Sequence, residues 1–554
     1  MKLFLPFLFF VFNSFIILAQ EVIVDTTIKY QTIEGFGGFG AKKVWWDSAP
    51  YWDQEYVNQV IDNLGCTIIR TQIYWESEAP NDNDDPDLIN WAGFRFDALN
   101  DNNGKQMDFI KAVGEKGARL IATVWTPPIW MKGLEEFYGT YNGTSQRRRP
   151  SAADLNSQCS WCGGAAGCTQ VGGRLKPEYY AEFAEYLTAY IKTVKAKTGV
   201  DVWAINIQNE PMFPNPFESC VVLPSEYAQI LKVVGEKFAR ENITTRLFGP
   251  EHMGEWSWGM NRDYVMEILK DPEINPYLSF YAVHSYVDGV AADYGSAGGW
   301  TTLHDSITVR YGKQLWMTET SDFEKTGYDL AFSMAKGLHL GLKFGKISGW
   351  VYWAMTDYVI KNNQLTSLGY AFKNYYKYIR PMSVQVESTC SDKDILVTTF
   401  KKDKKLTVVL INNSGAIKSV NMSLSGANSA SNYFMYRTSS TENCLYVGAV
   451  RSDSFKLQPN SITTLVSASV VGTGEEVNEE NIEILPSTST GTITLNNAAG
   501  GRFTITDISG RVRHNLVINS NIEVVNATGL EPGYYILRVN KNNSITTRKY
   551  IDIW

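Results

Sequence analysis

The spacing of hydrophobic residues divides the chain into regions of different secondary structure. Between residues 33 and 380, short β-branched runs alternate with runs in which apolar residues recur every three or four positions, as in an amphipathic helix. The clearest helical run is Pro177 to Lys197. From Pro381 to about Ser469 the period becomes two, which is typical of strands, and a second block of this kind covers about Ile484 to Trp554.

The first region contains eight predicted strands, each followed by a helical run. These strands are Ile33–Phe36, Thr67–Ile73, Arg119–Trp125, Val202–Gln208, Arg246–Gly249, Leu278–Val287, Lys313–Thr318 and Lys346–Trp353. Eight strand–helix units predict an α/β protein with a closed (β/α)8 TIM barrel. A doubly wound open sheet is the competing architecture. However, the glycine-rich run from Gly35 leads to Trp45-Trp46 instead of the helix N-terminus that a dinucleotide site requires.

The remaining segments predict export and two further β domains. Lys2 followed by an apolar run to Leu18 resembles a signal peptide that is cleaved near Ala19. The acidic, non-periodic stretch near Glu475–Glu480 resembles a linker. The expected domains are a signal peptide (1–19), the catalytic barrel (31–380), a β-sandwich (21–30 plus 381–469), the linker (470–483) and a small C-terminal β-sandwich domain (484–554).

Composition narrows the class of partner. The formal charge of −7 argues against nucleic acid, whose binding favours a basic surface. Aromatic residues make up 13% of the chain, which is compatible either with large cores or with rings that stack on sugars. We expect no cofactor, a location outside the cell or on its surface, and a monomer.

Seven cysteines in an exported chain predict disulfides and one unpaired thiol. Cys66 lies in an apolar run and is the expected free, buried thiol. Cys159, Cys162 and Cys168 share a glycine-rich loop, Cys220 lies in another loop, and Cys390 and Cys444 fall in the later β region. Zinc binding by the four loop cysteines is an alternative, although their spacing matches no common zinc ribbon.

Two glutamates occupy the positions where barrel enzymes carry catalytic groups. Glu210 follows the apolar fourth strand and precedes Pro211, and Glu319 ends the seventh strand. Catalytic residues of these barrels come from the carboxyl ends of strands. Two such carboxylates favour acid–base and nucleophilic chemistry over a salt bridge at the rim of the barrel.

Three motifs resemble glycoside hydrolase family 30. They are Thr32-Ile-Glu-Gly-Phe-Gly-Gly38, Ile207-Gln-Asn-Glu-Pro211 and Trp316-Met-Thr-Glu319. The resemblance covers about residues 22 to 469. It implies a retaining glycosidase in which Glu210 is the acid/base, Glu319 is the nucleophile and Asn209 could bind the sugar 2-hydroxyl. The full set of expected substrate-binding residues is Arg70, Trp125, Asn209, His284, Tyr286 and Trp353. Arg70 could also keep Glu319 ionised.

Other polar clusters receive structural interpretations. Glu251 and His252 fit a supporting role at the rim better than a catalytic pair. The cluster Arg147-Arg148-Arg149 favours a solvated loop over a site for acidic sugars. The acidic run Asp82–Asp87 could hold calcium, but it lacks the EF-hand glycine.

The resemblance leaves the polysaccharide open. Glucuronoxylanases of this family carry basic residues after strand eight, and the segment Trp353–Lys361 lacks paired arginines. Xylan without glucuronate, β-1,6-glucan and β-1,6-galactan are all candidates for a secreted endo-β-glycanase. The alternative is a non-catalytic polysaccharide-binding protein that keeps the barrel cleft.

The C-terminal block resembles the type IX secretion sorting domain. The resemblance rests on Asp507-Ile-Ser-Gly510, Gly529-Leu-Glu-Pro-Gly-Tyr-Tyr535 and the final strand. It implies contact with the secretion machinery. A carbohydrate-binding β domain is the competing interpretation.

Overall fold

The computed structural model describes residues 19–552, apart from 44–49, 79, 98–100, 142–143, 215, 255–259, 287–296, 426–431, 468–481, 488–491, 497, 508, 521, 532 and 542–543. The signal peptide, Trp45-Trp46 and almost all of the predicted linker therefore lie outside the described residues. The chain forms two compact units, residues 1–468 and 469–554.

The larger unit contains a closed barrel of eight parallel strands, and the predicted fold class is confirmed. In chain order, barrel strands 1 to 8 are Gly35–Phe39, Ile68–Ile73, Arg119–Val124, Val202–Asn206, Arg246–Met253, Leu278–Ser285, Gln314–Thr320 and Gly349–Tyr352. Each strand pairs with its neighbours in sequence order, and strand 8 closes on strand 1. The eight predicted strands correspond to these eight, with ends that differ by a few residues.

Helices surround the barrel. The main ones are Gln54–Val57 with its continuation Asn58–Leu64, Met107–Glu115, Tyr180–Thr198, Pro224–Arg240, Asn261–Leu269, Ala297–His304 with Asp305–Val309, Gly327–Lys343 and Ser367–Tyr376. Shorter helices are Asn102–Lys105, Ala152–Gln158 and Gly164–Gly167, and short strand pairs lie in the loops. None of the helices within the described ranges is long and apolar enough to cross a membrane.

Apolar side chains fill the barrel interior, so it is a core and not a channel. Ile68, Phe248, Phe280, Trp316 and Val351 form this inner cluster. The glycines of strand 1 reflect this tight packing. A Cβ at Gly37 would collide with the carbonyl of Ile68, and one at Gly38 would collide with the Met355 side chain. The glycine-rich run thus serves packing and not phosphate binding.

Nine strands of the larger unit form a sheet around a separate core, and the first of them precedes the barrel in sequence. They are Gln20–Thr32, Val384–Cys390, Ile395–Lys402, Lys405–Asn412, Lys418–Leu424, Asn432–Ser439, Glu442–Arg451, Phe455–Leu457 and Ser461–Ser467. The strand Gln20–Thr32 lies between Val384–Cys390, to which it is antiparallel, and Lys418–Leu424, to which it is parallel. Val22 and Val24 are fully buried in the core of this sheet.

The barrel and this sheet share apolar packing. Phe400, Val409, Ile411 and Ile462 of the sheet belong to the same buried cluster as the barrel helices. Polar contacts add to this packing. The side-chain amide of Asn374 donates to Thr438 Oγ1 at 2.5 Å, and the backbone carbonyl of Asn374 accepts from Thr464 Oγ1 at 2.8 Å. The two parts are therefore one packed body.

The smaller unit consists of two antiparallel sheets with their own core. One contains Glu483–Ser487, Thr492–Asn496 and Ile522–Asn526, and the other contains Arg502–Asp507, Val512–Val517, Gly533–Lys541 and Ser544–Asp552. Ile493, Leu495, Phe503, Leu537 and Val539 are fully buried in it.

The cysteines differ from the prediction. Cys162 and Cys168 form a disulfide, whereas Cys66, Cys159, Cys220, Cys390 and Cys444 are free. Cys66 is buried, as expected, but it is not the single free thiol. Cys390 and Cys444 do not pair because their strands, Val384–Cys390 and Glu442–Arg451, are not neighbours in the sheet. The disulfide also removes two of the four sulfurs that a zinc site would have needed.

Candidate active site

Glu210 lies just beyond the carboxyl end of barrel strand 4. Its backbone is in the left-handed region, with φ of 40°, a conformation that costs a residue with a Cβ about 1–3 kcal/mol. The preceding turn is held by the N–H of Asn209, which donates to the carbonyl of Val124 at 2.7 Å. The surrounding strands thus impose the conformation that places this carboxyl group, which is 8% exposed.

Glu319 is the penultimate residue of barrel strand 7, and both of its carboxylate oxygens accept hydrogen bonds. Oε2 accepts from Arg70 Nη1 at 2.6 Å, and Oε1 accepts from Tyr286 Oη at 2.5 Å. Carboxylate oxygens of Glu210 and Glu319 lie within 4.8 Å of each other. Retaining glycosidases hold their two carboxyl groups about 5–5.5 Å apart, and inverting enzymes hold them about 6.5–9.5 Å apart. An oxygen pair within 4.8 Å fits the shorter of these two ranges.

Arg70 lies beneath these carboxylates with no exposed surface. Arg70 lies within strand 2, which continues to Ile73. Its Nη2 donates to Asn209 Oδ1 at 2.7 Å and to Glu251 Oε2 at 2.9 Å. Its guanidinium also lies over the Trp125 ring, 4.7 Å from the centroid. Arg70 therefore binds protein carboxylates and does not line the open cleft.

Glu251 forms the third carboxylate of the site. It is fully buried and, like Glu210, has a left-handed backbone, with φ of 62°. Burial alone would raise its pKa, but Arg70 and His284 outweigh burial and hold the pKa well below its usual range. Asn206 Nδ2 adds a hydrogen bond of 2.7 Å. The adjacent His252 instead contacts Tyr281 Oη at 2.6 Å, so the two residues do not act as a pair.

His284 connects the carboxylates. Its Nδ1 donates to Glu210 Oε1 at 2.9 Å, and its Nε2 lies 3.5 Å from Glu251 Oε1. Burial lowers the pKa of His284, but the charges of Glu319 and Glu251 outweigh this effect and raise the pKa to about 9. The ring is therefore an imidazolium at neutral pH. It has no exposed surface, so, like Arg70, it acts on carboxylates and not on open solvent.

The charges of this cluster determine where one proton resides. Arg70 and His284 supply two positive charges, and three glutamates face them, so a single proton makes the cluster neutral. Burial raises the pKa of Glu210, and the nearby charge of Glu319 raises it further. Glu251, by contrast, is held ionised. Glu210 is thus the glutamate best placed to carry the proton.

Aromatic rings surround the carboxylates. Phe39 stacks on Trp353 with centroids 4.2 Å apart, and Trp125 lies 6.1 Å from Trp353. Tyr286 stacks on Phe323, which is 62% exposed, with centroids 5.7 Å apart. Phe323 was not identified from the sequence, because it follows strand 7 in a loop without periodicity. These rings provide flat apolar surfaces beside the paired glutamates.

Several supporting residues also escaped the sequence analysis. Asn206 holds Glu251, and Tyr227 Oη in turn donates to Asn206 Oδ1 at 2.6 Å. Gln208 donates to the carbonyl of Trp125 at 2.8 Å. The sequence signal for Asn206 and Gln208 is their position at the end of strand 4, where polar residues interrupt an apolar run, whereas Tyr227 lies on the helix Pro224–Arg240.

The arginine cluster is neither a sugar site nor fully solvated. Arg147 is exposed and pairs with Asp154 at 3.3 Å. Arg148 is buried and pairs with Glu226 at 3.1 Å. Arg149 donates to backbone carbonyls, including that of Cys168 at 2.9 Å, and thereby holds the disulfide loop. The expectation of a solvated loop is wrong for the last two arginines, since the protein itself supplies their acceptors.

The chain resembles several known proteins over the barrel and the attached sheet. It is 23% identical over 440 residues to a glucuronoxylanase of Bacillus subtilis (strain 168), a match that covers 77% of this chain and 86% of the relative. A GH30 endoxylanase structure from Clostridium papyrosolvens C71 superposes with a TM-score of 0.61 at 23% identity, covering 81% of this chain and 99% of that one. The endo-β1,6-glucanase BT3312 superposes with a TM-score of 0.59 at 19% identity, covering 81% and 94%.

The C-terminal unit matches a different family model. Residues 485–553 match the secretion system C-terminal sorting domain. The resemblance to glycoside hydrolase family 30 and the type IX sorting domain are thus both confirmed, the first as homology to its xylanases. The sorting domain marks the protein as secreted or held at the cell surface.

Proposed function

We propose that this chain is a secreted retaining endo-β-glycanase that hydrolyses a polysaccharide by double displacement. The observation that carries the proposal is the pair Glu210 and Glu319, whose carboxylate oxygens lie within 4.8 Å of each other at the carboxyl end of the barrel. A binding protein without activity would have no use for two buried carboxylates at this spacing. We also propose that the protein acts as a monomer.

Glu319 is the nucleophile in this proposal. Its contacts with Arg70 and Tyr286 orient both oxygens. Attack of one oxygen on the anomeric carbon forms a glycosyl ester as the bond to the leaving oxygen breaks. Neutralising the Glu319 charge in this step leaves the positive charge of Arg70 to be balanced by Glu251, which stays ionised.

Glu210 is the acid and then the base. Its raised pKa keeps a proton available for the leaving oxygen at the operating pH. After the leaving group departs, the Glu210 carboxylate removes a proton from water, which attacks the anomeric carbon and releases Glu319. His284 donates a hydrogen bond to Glu210 and so stabilises the carboxylate formed between the two steps.

Asn209 and the aromatic residues supply substrate contacts. Because Asn209 Oδ1 accepts from Arg70, its amide nitrogen is the group that could donate to a sugar hydroxyl. Trp353 and Tyr286 are partly exposed beside the two glutamates, and Phe323 extends the surface. Sugar rings present flat apolar faces that would stack on these side chains.

Xylan, β-1,6-glucan and β-1,6-galactan are the candidate substrates, and product analysis distinguishes them. After strand 8, Lys361 is the only basic residue of the segment 353–361, and Tyr358 is 37% exposed. This segment offers a ring and no arginine pair for a glucuronate branch. We therefore propose a neutral β-glycan chain as the substrate.

The test is product analysis of the purified protein on xylan, β-1,6-glucan, β-1,6-galactan and laminarin, with three variants. Glu319→Gln should abolish turnover. Glu210→Ala should keep slow activity on glycosyl fluorides, and azide should rescue it with a β-glycosyl azide as product. The control Glu115→Gln, an exposed residue at a helix end, should match the wild type. Equal residual activity of the first two variants, unaffected by azide, would contradict the assigned roles.

A further inference from the structure

A second cluster of carboxylates lies away from the catalytic pair. Asp82 is in the loop that follows barrel strand 2, and Glu182 and Glu185 are one turn apart on the helix Tyr180–Thr198. Oxygens of the three side chains all lie within 4.8 Å of one another. Glu182 is 7% exposed and Glu185 is 1% exposed. Acidic side chains are almost never this buried unless something pairs with them.

Within the described residues, four oxygen atoms of these carboxylates have no hydrogen-bond donor. Neither oxygen of Glu185 has a hydrogen-bond donor, and Glu182 Oε2 and Asp82 Oδ1 also have none. The other oxygen of Asp82 accepts from the backbone N–H of Asn90 at 2.6 Å and from Asn83 Nδ2 at 2.9 Å, so the loop fixes the position of this carboxylate. Four buried acceptor atoms therefore face one another without a positive charge or a donor.

A fourth buried carboxylate adjoins the cluster. Glu78 is 1% exposed and accepts a hydrogen bond from the backbone N–H of Asp82 at 3.4 Å. Negative charges this close together repel one another. A divalent cation would remove this repulsion and satisfy the unpaired oxygens.

The ligand chemistry selects the cation. All candidate ligands are oxygens, which favours a hard cation over zinc or copper. Calcium takes six to eight oxygen ligands at 2.3–2.6 Å in flexible geometry, whereas magnesium demands near-ideal octahedral geometry at 2.0–2.1 Å. Asp82 is partly exposed, which provides a path from solvent.

We propose that Asp82, Glu182 and Glu185 bind one calcium ion, which ties the loop after barrel strand 2 to the helix Tyr180–Thr198. Asp87, at the end of the acidic run, pairs instead with Arg240 at 3.0 Å. The loop also contacts the next strand's loop, since Trp130 Nε1 donates to the carbonyl of Glu78 at 3.2 Å. The ion would thus fix a loop at the carboxyl end of the barrel, independently of the catalytic mechanism.

The test uses the full chain, stripped with EDTA and dialysed at pH 7.5, then titrated with calcium, magnesium or zinc chloride by calorimetry and thermal melting. We expect one calcium per chain with a Kd at or below about 10⁻⁴ M and a Tm increase of about 4 °C at saturation. Glu185→Gln keeps the side-chain shape and should weaken calcium binding at least about 100-fold. Glu178→Gln, an exposed residue just before the same helix, should bind calcium like the wild type.

Each other outcome would overturn the proposal. If neither calorimetry nor Tm of the wild-type chain responds to calcium, the cluster holds a proton instead. If Glu185→Gln binds calcium with unchanged affinity, the ion binds elsewhere. If only magnesium or zinc binds, the assignment to calcium is wrong. The wild-type titration does not depend on the variant folding, so the proposal stays testable even if Glu185→Gln is unstable.

Discussion

Replacing Arg70 with lysine tests whether the buried guanidinium orients the nucleophile. Lysine keeps the charge but has one nitrogen, whereas Arg70 uses Nη1 for Glu319 and Nη2 for Asn209 and Glu251. We expect Arg70→Lys to keep a bond to only one carboxylate and to lose its planar contact with Trp125. The nucleophile would then be charged but poorly held.

The magnitude follows from the bonds that are lost. Two hydrogen bonds of a charged donor are worth about 1.5 kcal/mol each at the low end of their range, or about 3 kcal/mol together. If the whole loss fell on the transition state, kcat/KM would fall about 150-fold. If it fell on folding, the free energy of unfolding would decrease by the same amount and the activity per folded molecule would not change.

The assay therefore measures both quantities. Single-turnover kinetics on a dinitrophenyl glycoside of the identified sugar isolates attack by Glu319, because that leaving group needs no acid. Arg119→Lys is the matched control. Arg119 also pairs with a glutamate, Glu34, at 2.7 Å, and its guanidinium lies 4.9 Å from the centroid of the Trp203 ring. However, Arg119 begins strand 3 and therefore lies at the opposite end of the barrel. If Arg70→Lys keeps kcat/KM within about twofold of this control, the orienting role is refuted.

Four further results are expected. Proton NMR of the first-formed product should show the β-anomer, because the Glu210–Glu319 spacing is that of a retaining site; an initial α-anomer would contradict this. The alkaline limb of the kcat/KM profile reports loss of the Glu210 proton. Because His284 lowers the pKa of Glu210, the variant His284→Asn should move that limb to higher pH. A shift to lower pH would contradict the assigned interaction. Truncation at Gly472 should leave the rate and Tm of the barrel nearly unchanged while abolishing release, and loss of affinity for insoluble polysaccharide would instead indicate a binding module. Truncation at Pro381 should give insoluble protein, because it removes Phe400 and Ile462 from the core that they share with the barrel helices; a soluble, active product would show that the sheet is dispensable.

The sequence predicts the barrel well because its strands are continuous apolar runs bounded by polar residues. The positions of Glu210 and Glu319 follow from the same pattern, since each comes at the end of such a run. The role of Glu251 does not follow, because its partner Arg70 lies 181 residues away and meets it only across the closed barrel. Left-handed backbone at two glutamates is equally hidden, since neither residue favours it.

The cysteines and the second acidic cluster also depend on contacts between residues that are far apart in the sequence, which the sequence pattern does not predict. Spacing placed Cys390 and Cys444 in one domain, but strand order in the sheet decides which residues are neighbours. The acidic run after strand 2 drew attention to Asp82–Asp87 as a unit. The structure instead groups Asp82 with Glu182 and Glu185, which appear in the sequence as ordinary residues of an amphipathic helix.

The strand Gln20–Thr32 has a consequence for the order in which the protein folds. Its partners, Val384–Cys390 and Lys418–Leu424, are synthesised more than 350 residues later, after the whole barrel. Pairings of such long sequence separation form slowly, because a large loop must close before they are gained. Until then, Val22 and Val24 have no core to enter, and the barrel helices lack the sheet residues that cover them. The barrel and the sheet can therefore complete their shared core only after the strand Ser461–Ser467 has been synthesised.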